Sequence, residues 1–290
     1  MSASAAASPH HARGITLMLI SAACFTANIL LIRAIGRAAT VDIWTLSCAR
    51  FVVGLGLVAA FYPRAWQPRH LFSNPKLAER GLLGAIGVAG YYLTVVHLGA
   101  GRATFINNTY LVWGALLAVW ILREPFRPAL VAGSVAALGG LALLTGLFSA
   151  GPGLSFYDLV AVATAVASGY IVVTIRQLHA TEHSSTIFSA QCAYGLLVCL
   201  IPAWLHFQMP AAIPAWLMFG ASVCAGVGQL TMTRSFRDLS VAEGSLLQML
   251  VPLGVALGDV ALFAVRFSVA EIAGAALILA GCALPALRRR

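Results

Sequence analysis

The stretch GSLLQMLVPLGVALGDVAL, residues 244–262, carries a single charged side chain, that of Asp259. A helix of about 20 apolar residues crosses the hydrocarbon core of a bilayer, and within lipid a helix satisfies its own backbone hydrogen bonds. The stretch therefore predicts a transmembrane helix, which we place at 240–262. Pro252 within it has no N–H to donate, so it predicts a kink that frees the carbonyl of Gln248.

Apolar runs of this kind recur along the whole chain. Of its 290 residues 60% are hydrophobic and 9% are charged, whereas soluble domains carry about 25% charged residues. The composition therefore excludes a water-soluble fold and predicts an all-α transmembrane protein that follows a cytoplasmic tail at 1–13. We predict ten spans, at 14–35, 41–62, 79–98, 102–122, 128–148, 155–176, 185–205, 212–234, 240–262 and 268–287.

The distribution of basic residues predicts the orientation. The net charge of +9 suggests nucleic acid as one partner, but the basic residues lie in short connections and at the C-terminus, not on one face. With the N-terminus placed in the cytoplasm, 13 of the 18 Lys and Arg residues, including Arg80, fall on the cytoplasmic side and 4 on the other. The positive-inside rule then predicts that both termini are cytoplasmic, in the inner membrane of a bacterium.

The two halves of the chain, 14–148 and 155–287, match one another. Three pairs of segments keep the same order and nearly the same spacing in both halves: Ile32-Arg33 with Ile175-Arg176, Leu111-Val112 with Leu250-Val251, and Gly133 to Gly140 with Gly274 to Gly281. Transporters are often built from two such repeats. Because five spans is an odd number, the second copy enters the membrane from the opposite side. We therefore predict two inverted five-helix repeats.

Several local patterns resemble those of a known family. Arg50-Phe51, Leu250-Val251-Pro252, and Glu124 followed by Gly133 and Gly140 look like motifs of the EamA-type exporters in the drug/metabolite transporter superfamily. Within that family the sequence is most similar to the aromatic amino-acid exporters. It departs from the pattern at Trp113, where the first-half proline is usual, and at Val265, where a second glutamate is usual. The resemblance implies export of small metabolites.

Polar and aromatic side chains inside the predicted spans are candidates for binding a substrate. In the fourth span Asn107, Tyr110 and Gly114 share one helical face, which is a candidate wall of a cavity. The other interpretation is that the aromatic rings belong to interfacial belts and the amides join helices. The predicted substrate-binding residues, of which we favour Asn107, Tyr91 and Gln248, are Asn28, Tyr91, Tyr92, Asn107, Tyr110, Trp113, Tyr170, Gln229 and Gln248.

Arg50 is the one charge that the sequence places clearly near the bilayer centre, where a charge costs at least about 2.5 kcal/mol. It either binds a substrate carboxylate or bonds helix-end carbonyls and so fixes the second span, and we favour the second interpretation. With Pro252, it forms our predicted structural or gating set. The carboxylates lie nearer span ends, where capping is the expected role of Asp42. Without a central acid, and with the amide of Asn28 instead, the protein is expected to take neutral or zwitterionic substrates such as amino acids.

Other classes of function fit less well. The sequence contains no Walker loop, HExxH motif or dinucleotide fingerprint, so we predict neither an enzyme nor a bound cofactor or metal. Its six cysteines lie in apolar runs without metal-binding spacing. A channel-like facilitator and an exporter of other drugs or metabolites remain alternatives. The expected partners are a small-molecule substrate and the lipid bilayer, not nucleic acid; the oligomeric state is left open, with a monomer possible.

Overall fold

A computed structural model describes residues 9–38, 41–147, 155–205 and 211–287, except for the side chains of Ala38, Tyr92, Ala100, Ala286 and Leu287. These residues form helices and connections. The helices are α1 (Pro9–Ala38), α2 (Ile43–Phe61), α3 (His70–Ser73), α4 (Pro75–Leu98), α5 (Ala100–Asn108), α6 (Tyr110–Ile121), α7 (Pro128–Leu144), α8 (Phe156–Leu178), α9 (Ser184–Leu205), α10 (Ala212–Ser235), α11 (Val241–Gln248), α12 (Leu250–Phe263) and α13 (Val269–Leu287).

Eight helical segments in the described ranges are long and apolar enough to cross a membrane. Two of the eight are composite, since α5 continues into α6 and α11 into α12. The fifth and tenth predicted spans correspond to α7 and α13, which are shorter apolar helices. At 17 residues, α7 rises about 25 Å against a hydrocarbon core of about 30 Å. The multi-pass helical fold is thus confirmed, while the count of ten spans stays a prediction.

Side-chain caps set where several helices begin. Asp42 accepts a hydrogen bond from the Thr45 N–H at 2.9 Å, which is the role expected of it. Asn74 caps α4 just before Pro75, and Ser240 accepts from the N–H of Glu243 at the start of α11. Each cap satisfies a backbone donor that the first helical turn leaves free.

The fourth and ninth spans are both interrupted, at Thr109 and at Met249. The N–H of Thr109 donates to the carbonyl of Ile106 and that of Met249 to the carbonyl of Leu246, at 3.1 and 3.0 Å. The break at Met249 lies just before Pro252, close to the predicted kink. The break at Thr109 was not predicted, because no proline is present there. It lies one residue from the position that corresponds to Met249 when Leu111 is matched with Leu250.

The contacts between helices repeat when the two halves are exchanged. In this exchange α1 corresponds to α8, α2 to α9 and α4 to α10. The contact between α1 and α10 corresponds to that between α8 and α4, and the contact between α10 and α2 to that between α4 and α9. Helices α7 and α13 correspond to each other, so their contact is reciprocal. A methyl group added to Gly133 would lie 2.5 Å from the carbonyl oxygen of Gly281, and one added to Gly281 would lie 2.5 Å from the carbonyl oxygen of Gly133. The same holds for Gly140 and Gly274, at 2.5 and 2.6 Å. This arrangement fits two structural repeats.

The largest buried apolar cluster lies at one end of the bundle. We call this the arginine-rich end, defined by Arg13, Arg64, Arg123, Arg127 and Arg176, and we name the other, with Arg33 and Arg102, the opposite end. The cluster joins the ends of seven helices and includes Met18, Leu77, Ile175, Ile187 and Phe236. Because close-packed side chains leave few voids, the bundle is closed at the arginine-rich end.

Candidate transport pathway

Two ion pairs connect the halves at the opposite end. Arg102 at the start of α5 binds Asp158 in α8, with Nε to Oδ1 at 2.8 Å and Nη2 to Oδ2 at 3.0 Å. Arg33 in α1 is paired with Asp259 in α12. Asp158 also accepts from the backbone N–H of Ser155, at 2.7 Å, within the capping box that begins α8. Both pairs thus link the first half to the second.

A bonded cluster around Arg176 closes the arginine-rich end. The Nε of Arg176 lies 2.7 Å from Oε1 of Glu124, and Nη1 donates to the carbonyls of Phe236, at 3.1 Å, and Leu239. Glu124 accepts in addition from the N–H of Val241, at 3.2 Å. Arg176 therefore joins the end of α8 to the loop after α6 and to the connection between α10 and α11.

Two further pairs lie beside this cluster. His11 at the start of α1 contacts Glu243 in α11, at 2.8 Å between Nε2 and Oε1. Arg13 lies 3.6 Å from the carboxylate of Asp238. The start of α1 is in this way fixed to the start of α11 and to the residues before it.

Arg33 and Arg176 occupy equivalent positions in the two halves. Each binds a carboxylate of the other half, Asp259 for Arg33 and Glu124 for Arg176. Because α1 and α8 run in opposite directions, the two pairs lie at opposite ends of the bundle. Opening either end by separating the halves there would break one of these pairs.

Burial raises the pKa of the Glu124 carboxyl, and Arg176, the Val241 N–H and Arg127 oppose the rise. Only 11% of the Glu124 side chain is exposed, so loss of water penalises its charged form. The nearby carboxylate of Glu243 raises the pKa further. The ion pair with Arg176 therefore offsets only part of the cost of burying this charge.

Two of the predicted binding amides join helices in this conformation. The Nδ2 of Asn28 donates to the carbonyl of Ala221 at 2.8 Å. The Nε2 of Gln248 lies 2.9 Å from both the Ser21 hydroxyl and the Met18 sulfur. These contacts link α1 to α10 and to α11, as expected of amides that hold transmembrane helices together.

Two of the predicted tyrosines are bonded to neighbouring helices. The hydroxyl of Tyr91 lies 2.9 Å from that of Thr104 in α5. The hydroxyl of Tyr170 donates to Oε1 of Glu79 in α4, at 2.8 Å. The side chain of Tyr92 lies outside the described part of the structure.

The remaining candidates have free polar groups. The side chains of Asn107, Tyr110, Trp113 and Gln229 make no hydrogen bond to any residue that the structure describes, and the first three are half-buried. Asn107 and Tyr110 flank the break at Thr109. Gly114, on the same face, packs against Gly169 of α8, so only part of the predicted face is open. The polar groups of these four side chains are thus not engaged by other described residues in this conformation, and their role in binding a substrate stays a prediction.

Arg80 is the buried cation that sequence reasoning missed. It lies in the second turn of α4, is only 2% exposed, and donates from Nη2 to Oε1 of Gln191 at 2.8 Å. Its guanidinium lies against Gly84, where a methyl group would be 2.7 Å from Nη1. The glycines after Arg80 were the available signal. Arg50, by contrast, is half-buried and makes no hydrogen bond or ion pair within the described ranges, so the bonds to carbonyls expected of it are not seen.

Comparison with known proteins identifies the family. The model of the EamA-like transporter family matches residues 12–146 and again 155–286. The chain belongs to the EamA-like transporter family. This confirms the resemblance at the level of the family, and membership agrees with the expectation of a transporter and not an enzyme.

Two curated relatives of this EamA-like transporter are the pseudopaline exporters CntI of two Pseudomonas aeruginosa strains. Each is 27% identical over 163 residues, which are 56% of this chain and 57% of the relative. The match thus spans little more than half the length of these relatives. Neither is by name an aromatic amino-acid exporter, so that finer likeness stays a prediction.

The fold also occurs in a solved crystal structure. That protein shares 20% sequence identity with this EamA-like transporter and superposes with a TM-score of 0.82, over 96% of this chain and 99% of its own. At this level of identity the likeness shows the fold alone.

Proposed function

We propose that this EamA-like transporter exports small neutral or zwitterionic metabolites, preferentially aromatic and other large neutral amino acids, across the bacterial inner membrane. The proposed topology has ten spans and cytoplasmic termini, so that the arginine-rich end faces the cytoplasm. It is supported by the 13-to-4 distribution of basic residues. Reporter fusions after Leu287 and in the segment 148–154 test it, since a periplasmic C-terminus would contradict it.

The observation that carries the proposal is that Arg33 and Arg176, at equivalent positions in the two halves, each form an ion pair with the other half, at opposite ends of the bundle. In alternating access, one repeat rocks against the other and the pathway opens at one end at a time. Ion pairs between the halves at both ends suit such a cycle, because either can part while the other holds. A channel would need both ends open together.

The chemistry of the interior supports an uncharged or zwitterionic substrate. All nine Asp and Glu residues lie in loops or near helix ends. The middle of the bundle offers instead the free amides of Asn107 and Gln229 and the rings of Tyr110 and Trp113. Amides bond the amino and carboxyl groups of a zwitterion, and aromatic pairs add about 0.5 to 1.5 kcal/mol beyond area burial. Broad preference for large side chains follows.

The CntI relatives bear the name of an exporter of one metabolite, pseudopaline. That name supports export as the direction of transport and leaves other metabolites as alternative substrates.

The test uses purified protein in liposomes. Uptake of Phe, Trp, Met, Thr and Glu is measured with and without a pH gradient, followed by counterflow in vesicles preloaded with unlabelled Phe. We expect saturable uptake of Phe, Trp and Met, mutual competition and counterflow. Transport of Glu alone would contradict the substrate class. Uptake without saturation or counterflow would indicate a channel-like facilitator.

A further inference from the structure

An open groove of about 360 Å³ runs between α6 and α7 at the arginine-rich end. Its size falls within the range of about 300 to 1,000 Å³ that is usual for ligand pockets. Apolar side chains form its walls, and Leu116, Val131 and Val135 among them are 54%, 41% and 64% exposed. The groove therefore opens sideways, towards the region that the bilayer occupies.

The groove is long enough for part of an acyl chain. Val112 and Val119 both line it from α6, and two turns of helix correspond to a rise of about 10 Å. This slot leads from the apolar middle of α6 to charged residues at the surface. Its shape suits a molecule with an apolar tail and a charged head.

The charges at the mouth of the groove favour an anionic head. Three carboxylates lie there, and each has a basic partner: Glu124 with Arg176, Asp238 with Arg13, and Glu243 with His11. Arg127 also lines the groove. It is exposed and forms no ion pair with any residue in the described ranges. Its guanidinium acts electrostatically on Glu124 but is held by no direct ion pair, so it can turn to a lipid phosphate at the mouth of the groove.

We propose that this groove is a binding site for an anionic phospholipid of the leaflet at the arginine-rich end. The acyl chain lies along α6 and α7, and the phosphate binds Arg127. A basic residue near an anionic membrane surface contributes about 1 kcal/mol. The site goes beyond the proposed transport function and requires no substrate.

The experiment is native mass spectrometry of the full chain purified in detergent. The protein is incubated with equal amounts of phosphatidylglycerol and phosphatidylcholine that carry the same acyl chains. We expect phosphatidylglycerol to be retained about fivefold more than phosphatidylcholine, which corresponds to the contribution of one arginine. Equal retention of both lipids would overturn the proposed phosphate contact.

Matched variants locate the lipid. Arg127→Gln should abolish the preference for phosphatidylglycerol, whereas Arg64→Gln, which changes an exposed arginine away from the groove, should preserve it. Val131→Trp should fill the groove and reduce retention of both lipids, whereas Leu200→Trp, on the exposed face of α9, should not. Monodisperse elution checks folding of all four variants.

Two further outcomes contradict the proposal. If Arg127→Gln behaves like Arg64→Gln, or Val131→Trp like Leu200→Trp, the lipid binds elsewhere. Because transport is not a readout, failure of this site and failure of the proposed function are distinguishable.

Discussion

Gly133 of α7 and Gly281 of α13 each lie against the carbonyl oxygen of the other. This reciprocal contact predicts that Gly133→Ala lowers the melting temperature, because a methyl group 2.5 Å from a backbone oxygen forces the helices apart. Overpacking of this kind costs about 1 to 3 kcal/mol. Gly56→Ala is the control, since its added methyl group meets nothing within 4 Å. Equal melting temperatures for both variants would contradict the close contact.

Arg176→Gln is expected to destabilise the arginine-rich end at neutral pH. It leaves the carboxylate of Glu124 buried without its cation and removes the bonds to Phe236 and Leu239. Coupled pairs show interaction energies of about 0.5 to 3 kcal/mol. A double-mutant cycle of melting temperatures measures the coupling: Glu124→Gln should partly restore the stability of Arg176→Gln. Strictly additive effects would show that the two residues are independent.

The stability of the wild type relative to Glu124→Gln should fall as pH rises above the ordinary pKa of a glutamate. Burial raises the pKa of Glu124 in the folded protein, so the folded chain binds this proton more tightly than the unfolded chain. Its contribution to stability is present at low pH and is lost between the ordinary and the raised pKa. Melting curves of both proteins from pH 4 upwards test this, and parallel curves would refute it.

Arg80 should prove more important for folding than Arg50. Arg80→Ala leaves a cavity beside Gln191 and should reduce folded yield in detergent, whereas the half-buried Arg50 tolerates alanine. Arg80→Met should preserve or improve yield, because apolar residues of similar volume often replace buried charges without loss. The Nε and Nη1 atoms of Arg80 lack hydrogen-bond partners among the described residues, which strengthens this expectation. If Arg80→Met folds but no longer transports, the guanidinium has a functional role instead.

The candidate amides should separate into two groups. Asn107→Ala and Gln229→Ala are expected to weaken uptake of Phe severalfold with little change in melting temperature, since their side chains bond no described residue in this conformation. Asn28→Ala and Gln248→Ala should mainly lower the melting temperature, because each removes a buried hydrogen bond between helices, which is worth about 0.5 to 1.5 kcal/mol. The reverse pattern in both pairs would place the binding site at Asn28 and Gln248.

Composition and the long apolar runs were sufficient to predict the helical membrane fold, and the matched segments predicted its two halves. These features of the sequence have limits. They could not reveal Arg80, since a charge near a helix start looks the same whether it faces a loop or the helix interior. The break at Thr109 was also missed. There the threonine hydroxyl bonds the carbonyl of Ile106, at 2.6 Å, and Thr side chains that bond back in this way often bend helices without a proline.

The partners of Arg33 and Arg176 were equally hidden from the sequence. Arg33 and Asp259 lie near opposite ends of the chain and meet only through packing of the two halves. No local pattern encodes such a meeting. The same reason explains why Asn28 and Gln248 were proposed for a pathway although each is bonded within a helix contact.

The interrupted helices have one more consequence. At Thr109 and Met249 the backbone N–H turns to a nearer carbonyl, so the carbonyls of Phe105 and Ser245 lose the donor that a continuous α-helix would supply. These acceptors belong to the main chain, so they are present whichever side chain occupies the position. Point mutations can therefore change the side chains around each break, while this pair of backbone acceptors is retained.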